Sequence, residues 1–135
     1  GLSGVSNWFF VQWKEEQDHA RILQEYMLSQ DAKVELQPIA SVPTKWNNFV
    51  DLFTDSLAHE KEVTAMINDL ALMAYEEKDF ATLGCLQWFV DEQVEEEESL
   101  RAILDTLNLI NNDSYGIYQI DCQLGKRVYK PATDK

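Results

Sequence analysis

The sequence predicts an all-α fold, a bundle of a few long helices with one long connection. Three observations predict it. Apolar residues recur at alternating steps of three and four over long stretches, the repeat of a helix that buries one face. Only five glycines and three prolines punctuate 135 residues, too few for many short strands. Two of those prolines, Pro38 and Pro43, fall in one stretch and forbid a helix there.

The first helix is predicted over about 5–28, apolar at Phe9, Leu23 and Tyr26. An extended crossover follows over about 31–46, with a strand-like run at Val34, Glu35 and Leu36. Cap-forming residues between Thr44 and Asn47 open the second helix, which runs over about 47–77. A tight link around Lys78 and Asp79 makes the next helix an antiparallel neighbour, with Asp79 as its N-cap. That third helix extends over about 79–110. Asn111 to Ser114 form a polar turn, a short amphipathic helix covers about 115–124, and the tail beyond Lys126 reads as frayed. The whole of 1–135 is expected to be one domain.

Composition narrows the function. The net charge is −13 and no basic cluster occurs, which argues against nucleic acid and anionic membranes as partners, since both need Lys and Arg. No apolar run is long enough to span a membrane, and the N-terminus shows no signal peptide, so a cytoplasmic location is expected. Cys85 and Cys122 make no disulfide framework. Both fall inside apolar helical patterns and are expected to be buried, reduced thiols.

The informative residues are polar ones on the stripes that should be buried. Phe9, Gln12, Glu16, His19, Leu23 and Tyr26 follow one another on the first helix. Phe53, Leu57, Glu60, Val63 and Ile67 share a face of the second, and Leu86, Phe89, Gln93, Glu96, Leu100, Ile103 and Leu107 a face of the third. Each stripe is apolar at its ends and polar in its middle. Packed antiparallel, those middles meet at one depth. Alone, a Glu-x-x-His pair is commonly solvated, a single Glu60 is commonly on the surface, and Glu95 to Glu98 would be a charged face. Coincidence on three helices is different, because grouped buried carboxylates repel unless a cation neutralises them. Glutamate oxygens with one imidazole suit iron, manganese or zinc better than calcium. Glu16 and His19, three apart, lie on one helix face.

Asn7-Trp8-Phe9 and Glu15-Glu16-Gln17-Asp18-His19-Ala20 resemble the second helix of bacterial-type non-haem ferritins. Val34-Glu35-Leu36-Gln37-Pro38-Ile39 is similar to that family's crossover, and His59-Glu60 to its third helix. The block from Leu86 to Glu97, LQWFVDEQVEEE, resembles its fourth. The resemblance implies a ferritin-like four-helix bundle with one long crossover and a short C-terminal helix, the established layout of di-iron carboxylate bundles. It implies that Glu16 bridges two irons, that His19 binds the first, that Glu60 and Glu96 hold the second, and that Gln93 stands beside the pair. Glu15, Glu92 and Glu95 match a third iron position. The activity implied is iron storage with ferroxidase chemistry: two Fe(II) per subunit are oxidised by dioxygen or peroxide, and a ferric mineral grows inside a hollow, octahedral cage of like subunits. Ile117, Tyr118 and Ile120 would pack around the cage's fourfold axes. No haem is expected.

Two departures matter. Ferritin subunits begin with a long helix that supplies a further glutamate to the first iron, whereas this chain opens at Gly1-Leu2-Ser3-Gly4, similar to the loop after it. The expectation is therefore a subunit with the family's first helix absent from this chain, an open side to the core and an impaired first iron position. The alternative function is a truncated or degenerate ferritin subunit that is structural only. Trp13 is the second departure, a bulky indole where the family usually has a small residue, and the sequence does not say which way it points.

Overall fold

A computed structural model describes residues 1–132. Among them are four helices and no strand: α1, Ser3–Ser29; α2, Phe49–Glu76; α3, Phe80–Ile110; and α4, Ser114–Leu124. The chain forms two compact units. One holds 1–42 and the chain from 112 onward; the other holds 43–111.

In the first unit α4 packs on the N-terminal part of α1. Val5, Trp8 and Val11 of α1 and Ile120 and Leu124 of α4 are its buried apolar residues. Gly4 permits the approach, since a Cβ there would lie 1.7 Å from the Asp121 carbonyl oxygen. Leu2, at the N-cap position, offers no side-chain cap. Asp121 serves instead, its carboxylate accepting the Val5 N–H at 2.9 Å and placing negative charge at the helix start. α1 ends in a Schellman turn: Ala32 N–H reaches Met27 O and Asp31 N–H reaches Leu28 O, with Asp31 left-handed at φ 58°.

The tail corrects the frayed reading. Arg127 donates to the side chains of Gln12 and Glu15, Tyr129 donates to Asp18, and the Ala132 N–H also reaches Asp18. Asn7 holds the backbone of this segment, a strap over residues 126–132, through the Arg127 carbonyl at 3.0 Å. The last residues of the predicted tail, 133–135, lie outside the described residues.

In the second unit α2 and α3 pack along each other. Their link is a second Schellman turn, with Asp79 N–H on Ala74 O, Lys78 N–H on Tyr75 O and Lys78 left-handed at φ 61°. Asp79 then caps α3 through the Thr82 N–H, as expected. The α2 cap is Asn48, just beyond the predicted 44–47 window, accepting the Asp51 N–H at 2.8 Å. Phe53, Glu60, Ile67 and Ala74 are the buried positions of α2, spaced by sevens, and Leu86, Phe89, Gln93, Glu96, Leu100 and Leu107 those of α3. This is the repeat of two long helices sharing one seam.

Two further readings change, and one left open is settled. Val34 to Leu36 form no strand, because β-propensity without a partner strand yields only extended chain. Cys122 is exposed and Cys85 only half-buried, since α4 turns only Ile120 and Leu124 fully inward. Trp13 points outward, stacked on Phe10 with ring centroids 5.6 Å apart.

Candidate metal centre

The first unit brings together Gln12, Glu15, Glu16 and His19, because steps of three and four keep them on one side of α1. His19 is buried. Its Nδ1 lies 3.4 Å from Glu16 Oε2. Two donor atoms that share an ion at bonds of about 2.1 Å stand roughly 3–3.4 Å apart, so this spacing fits a common cation. Glu16 departs from the stripe reading: it is an exposed residue whose side chain keeps 47% of its surface. Periodicity finds the face but not how deep each side chain sinks. The other Glu16 oxygen, Oε1, accepts from the Gln12 amide at 3.3 Å. Gln12 is itself buried and takes a bond from Arg127 Nη1 at 2.9 Å, while Arg127 Nη2 pairs with Glu15. The guanidinium lies over the Trp8 ring, 4.6 Å from its centroid.

The second unit buries Glu60 of α2 with Gln93 and Glu96 of α3, at 8%, 4% and 5% exposure. All three stripe positions predicted to be polar and internal are so. Gln93 Nε2 donates to the Glu60 carboxylate at 3.2 Å, and also lies within bonding distance of the Glu60 carbonyl and the Thr64 hydroxyl. Gln93 thus supports Glu60 through its amide nitrogen, and the end of this side chain able to ligate a metal is the other one, the carbonyl oxygen. Thr64 continues the network, donating to Glu97 at 2.8 Å, and Arg101 holds the other Glu97 oxygen at 2.8 Å. Glu92 is half-buried and Glu95 exposed.

Thr64 escaped the sequence reading, Glu97 entered it only within a charged face and the Leu86–Glu97 block, and Arg127 escaped it too. The first two carry a usable signal, since Thr64 follows Glu60 by four and Arg101 follows Glu97 by four, on shared helix faces. Arg127 carries none, because it follows the last helix and its partners lie more than a hundred residues earlier.

Carboxylate oxygens and imidazole nitrogens are donors that suit a divalent or trivalent first-row metal. Removing such charges from water costs several kcal/mol per ion, so a bundle that needed only stability would place apolar groups at these positions.

Comparison with known proteins bears on the family and the fold. Residues 1–110 match the family model described as Ferritin-like domain. The chain is 34% identical over 126 residues to the bacterial non-heme ferritin of Staphylococcus aureus, which covers 93% of this chain and 76% of that protein. Among solved structures, the open pore ferritin of the hyperthermophilic archaeon Archaeoglobus fulgidus is 40% identical with a TM-score of 0.94, covering 95% of this chain and 79% of that one. A humanized archaeal ferritin is similar at 40% identity and TM-score 0.95, over 97% and 79%.

Proposed function

The chain belongs to the ferritin family, and we propose on that premise that it stores iron and oxidises Fe(II) as it does so. Iron is the substrate. Glu16 bridges two ions, His19 completes the protein's hold on the first, and Glu60 and Glu96 hold the second. Gln93 stands beside the pair and holds Glu60 through its amide nitrogen. Glu15, Glu92 and Glu95 form a third, weaker position.

One observation carries this reading. Glu60 and Glu96 are carboxylates buried in the middle of the α2–α3 seam, and His19 is an imidazole buried in the middle of α1. A cation relieves the repulsion that makes such burial costly.

Two Fe(II) give up one electron each. Dioxygen takes both with two protons and leaves as hydrogen peroxide; with peroxide as oxidant, the same two electrons and two protons yield two waters. Carboxylate oxygens are hard donors and favour the ferric product. The product then moves inward and grows as mineral in a cage of like subunits, in the cytoplasm, with no haem, nucleic acid or membrane involved. Of the α4 residues placed near the fourfold axes, Tyr118 has surface to give to neighbours, whereas Ile120 is buried within its own unit.

The test mixes the protein with Fe(II) under exclusion of air, admits dioxygen, and follows ferric absorbance and particle size. Ferric iron should form faster than in protein-free buffer and elute with a large particle. The double variant Glu60→Gln, Glu96→Gln should fall to the buffer rate. Equal rates for both proteins would leave only a structural subunit.

A further inference from the structure

The strap after α4 is tied to α1 at the residues around Glu16, and the function just proposed does not use it. We propose that Arg127 is a positioning residue that sorts the adjacent carboxylates Glu15 and Glu16, taking Glu15 on its own guanidinium and presenting Glu16 to metal through Gln12. The inference rests on the metal-binding reading of Glu16 and His19.

The argument follows the donors. A glutamine amide has an accepting end and a donating end, and the two are nearly equal in shape. Turned the wrong way, Gln12 would set its oxygen against the Glu16 carboxylate. Arg127 has only donors, so Nη1 at 2.9 Å selects Gln12 Oε1. That choice leaves Gln12 Nε2 to donate to Glu16 Oε1 at 3.3 Å. With Oε1 so engaged, Oε2 is the oxygen that faces His19 Nδ1 at 3.4 Å. The second arm of the same guanidinium pairs with Glu15.

Neighbouring glutamates are thereby given different work: one is neutralised, the other aimed. A planar fork does this because its two arms diverge at a fixed angle; an ammonium presents its donors from one atom. The fork is itself held, by the Trp8 face at 4.6 Å and by Asn7 on the Arg127 carbonyl. Outer partners of metal ligands commonly set affinity by one to two orders of magnitude.

The full chain is tested with Zn(II), a probe without redox chemistry, in competition with a coloured chelator. Arg127→Leu should lose about tenfold or more in its tight affinity and gain strength at the weak third position, where Arg127 otherwise competes with the ion for Glu15. Gln12→Leu should show the same loss without the gain, and Arg127→Lys should recover only part of it. Wild-type affinity at both positions in Arg127→Leu, whatever its melting temperature, would overturn the proposal. A metal-free readout separates this from the metal reading. The Gln12 side-chain amide resonances should shift in Arg127→Leu and Arg127→Lys; unmoved resonances would refute the relay even if Zn(II) binds. Should the wild type hold no Zn(II) tightly, the metal reading falls, and the amide shifts still decide whether Arg127 orients Gln12.

Discussion

Gln93 on α3 donates its side-chain amide to the Glu60 carboxylate on α2 at 3.2 Å, and both residues are almost fully buried. A carboxylate in that setting keeps its place only while something answers its charge. Replacing Gln93 with Leu should therefore cost about 1–3 kcal/mol, the price of a buried acceptor losing its donor. Chemical denaturation of the metal-free chain measures it. The loss should shrink in saturating Zn(II), because an ion at Glu60 supplies the missing positive charge. A penalty that stays the same with and without Zn(II) would mean that no ion reaches Glu60.

Gly4 and Gly84 are both helical glycines, and the structure assigns them opposite outcomes. A Cβ at position 4 would collide with the Asp121 carbonyl, so Gly4→Ala should destabilise by about 1–3 kcal/mol as α4 is pushed off α1. A Cβ at position 84 meets nothing within 4 Å. There the alanine brings only its helix propensity, and Gly84→Ala should stabilise by about 0.5–1 kcal/mol. Urea midpoints of the two variants, read on one preparation, check both signs.

The two thiols should react in sequence. Cys122 is exposed on α4, beside Tyr118, whose hydroxyl is raised by its bond to that sulfur. Cys85 is half-buried on α3, and burial pushes its thiol up, which lowers its share of reactive thiolate. Iodoacetamide near pH 8 should label Cys122 first, as peptide mass mapping would show. Faster labelling of Cys85 would place that face of α3 in solvent.

Much of this was legible in the sequence, and the reasons differ by element. The long helices follow from apolar spacing, and Asp79 from its position before an apolar run. Glu60, Gln93 and Glu96 were predicted inside because a seam between two long helices leaves its seventh-residue positions little choice. Glu16 was harder, since a helical face says which side a residue is on and nothing about what lies over it. The strap was illegible. Arg127 and Tyr129 sit in a non-periodic tail, and their bonds to Gln12, Glu15 and Asp18 close a loop of more than a hundred residues. No local pattern encodes such a closure.

That closure makes the last prediction, a pH plateau for the strap. Asp18 accepts from the Tyr129 hydroxyl at 2.7 Å and from the Ala132 N–H at 3.0 Å, with Arg21 3.6 Å away. The Tyr129 bond, then the Ala132 bond, hold its carboxyl below the ordinary 3.8. The same bond, ahead of the smaller influence of burial, raises Tyr129 above the ordinary 10.0. A depressed carboxyl supports the fold above its unfolded value and loses that support as pH falls through the folded one. A raised phenol does so below its unfolded value and loses it as pH rises through the folded one. The strap should thus stay ordered between about pH 4 and 10 and loosen on both sides. Backbone order at Ala132, from 15N relaxation across that range, tests the plateau. Tyr129→Phe removes the largest influence on Asp18, so the Asp18 carboxyl, followed by NMR, should titrate closer to 3.8. Loosening should then begin at a higher pH on the acid side, while the alkaline limit disappears with the phenol. An Asp18 titration that does not move in Tyr129→Phe would mean that the Ala132 N–H and Arg21 hold the carboxylate without the phenol.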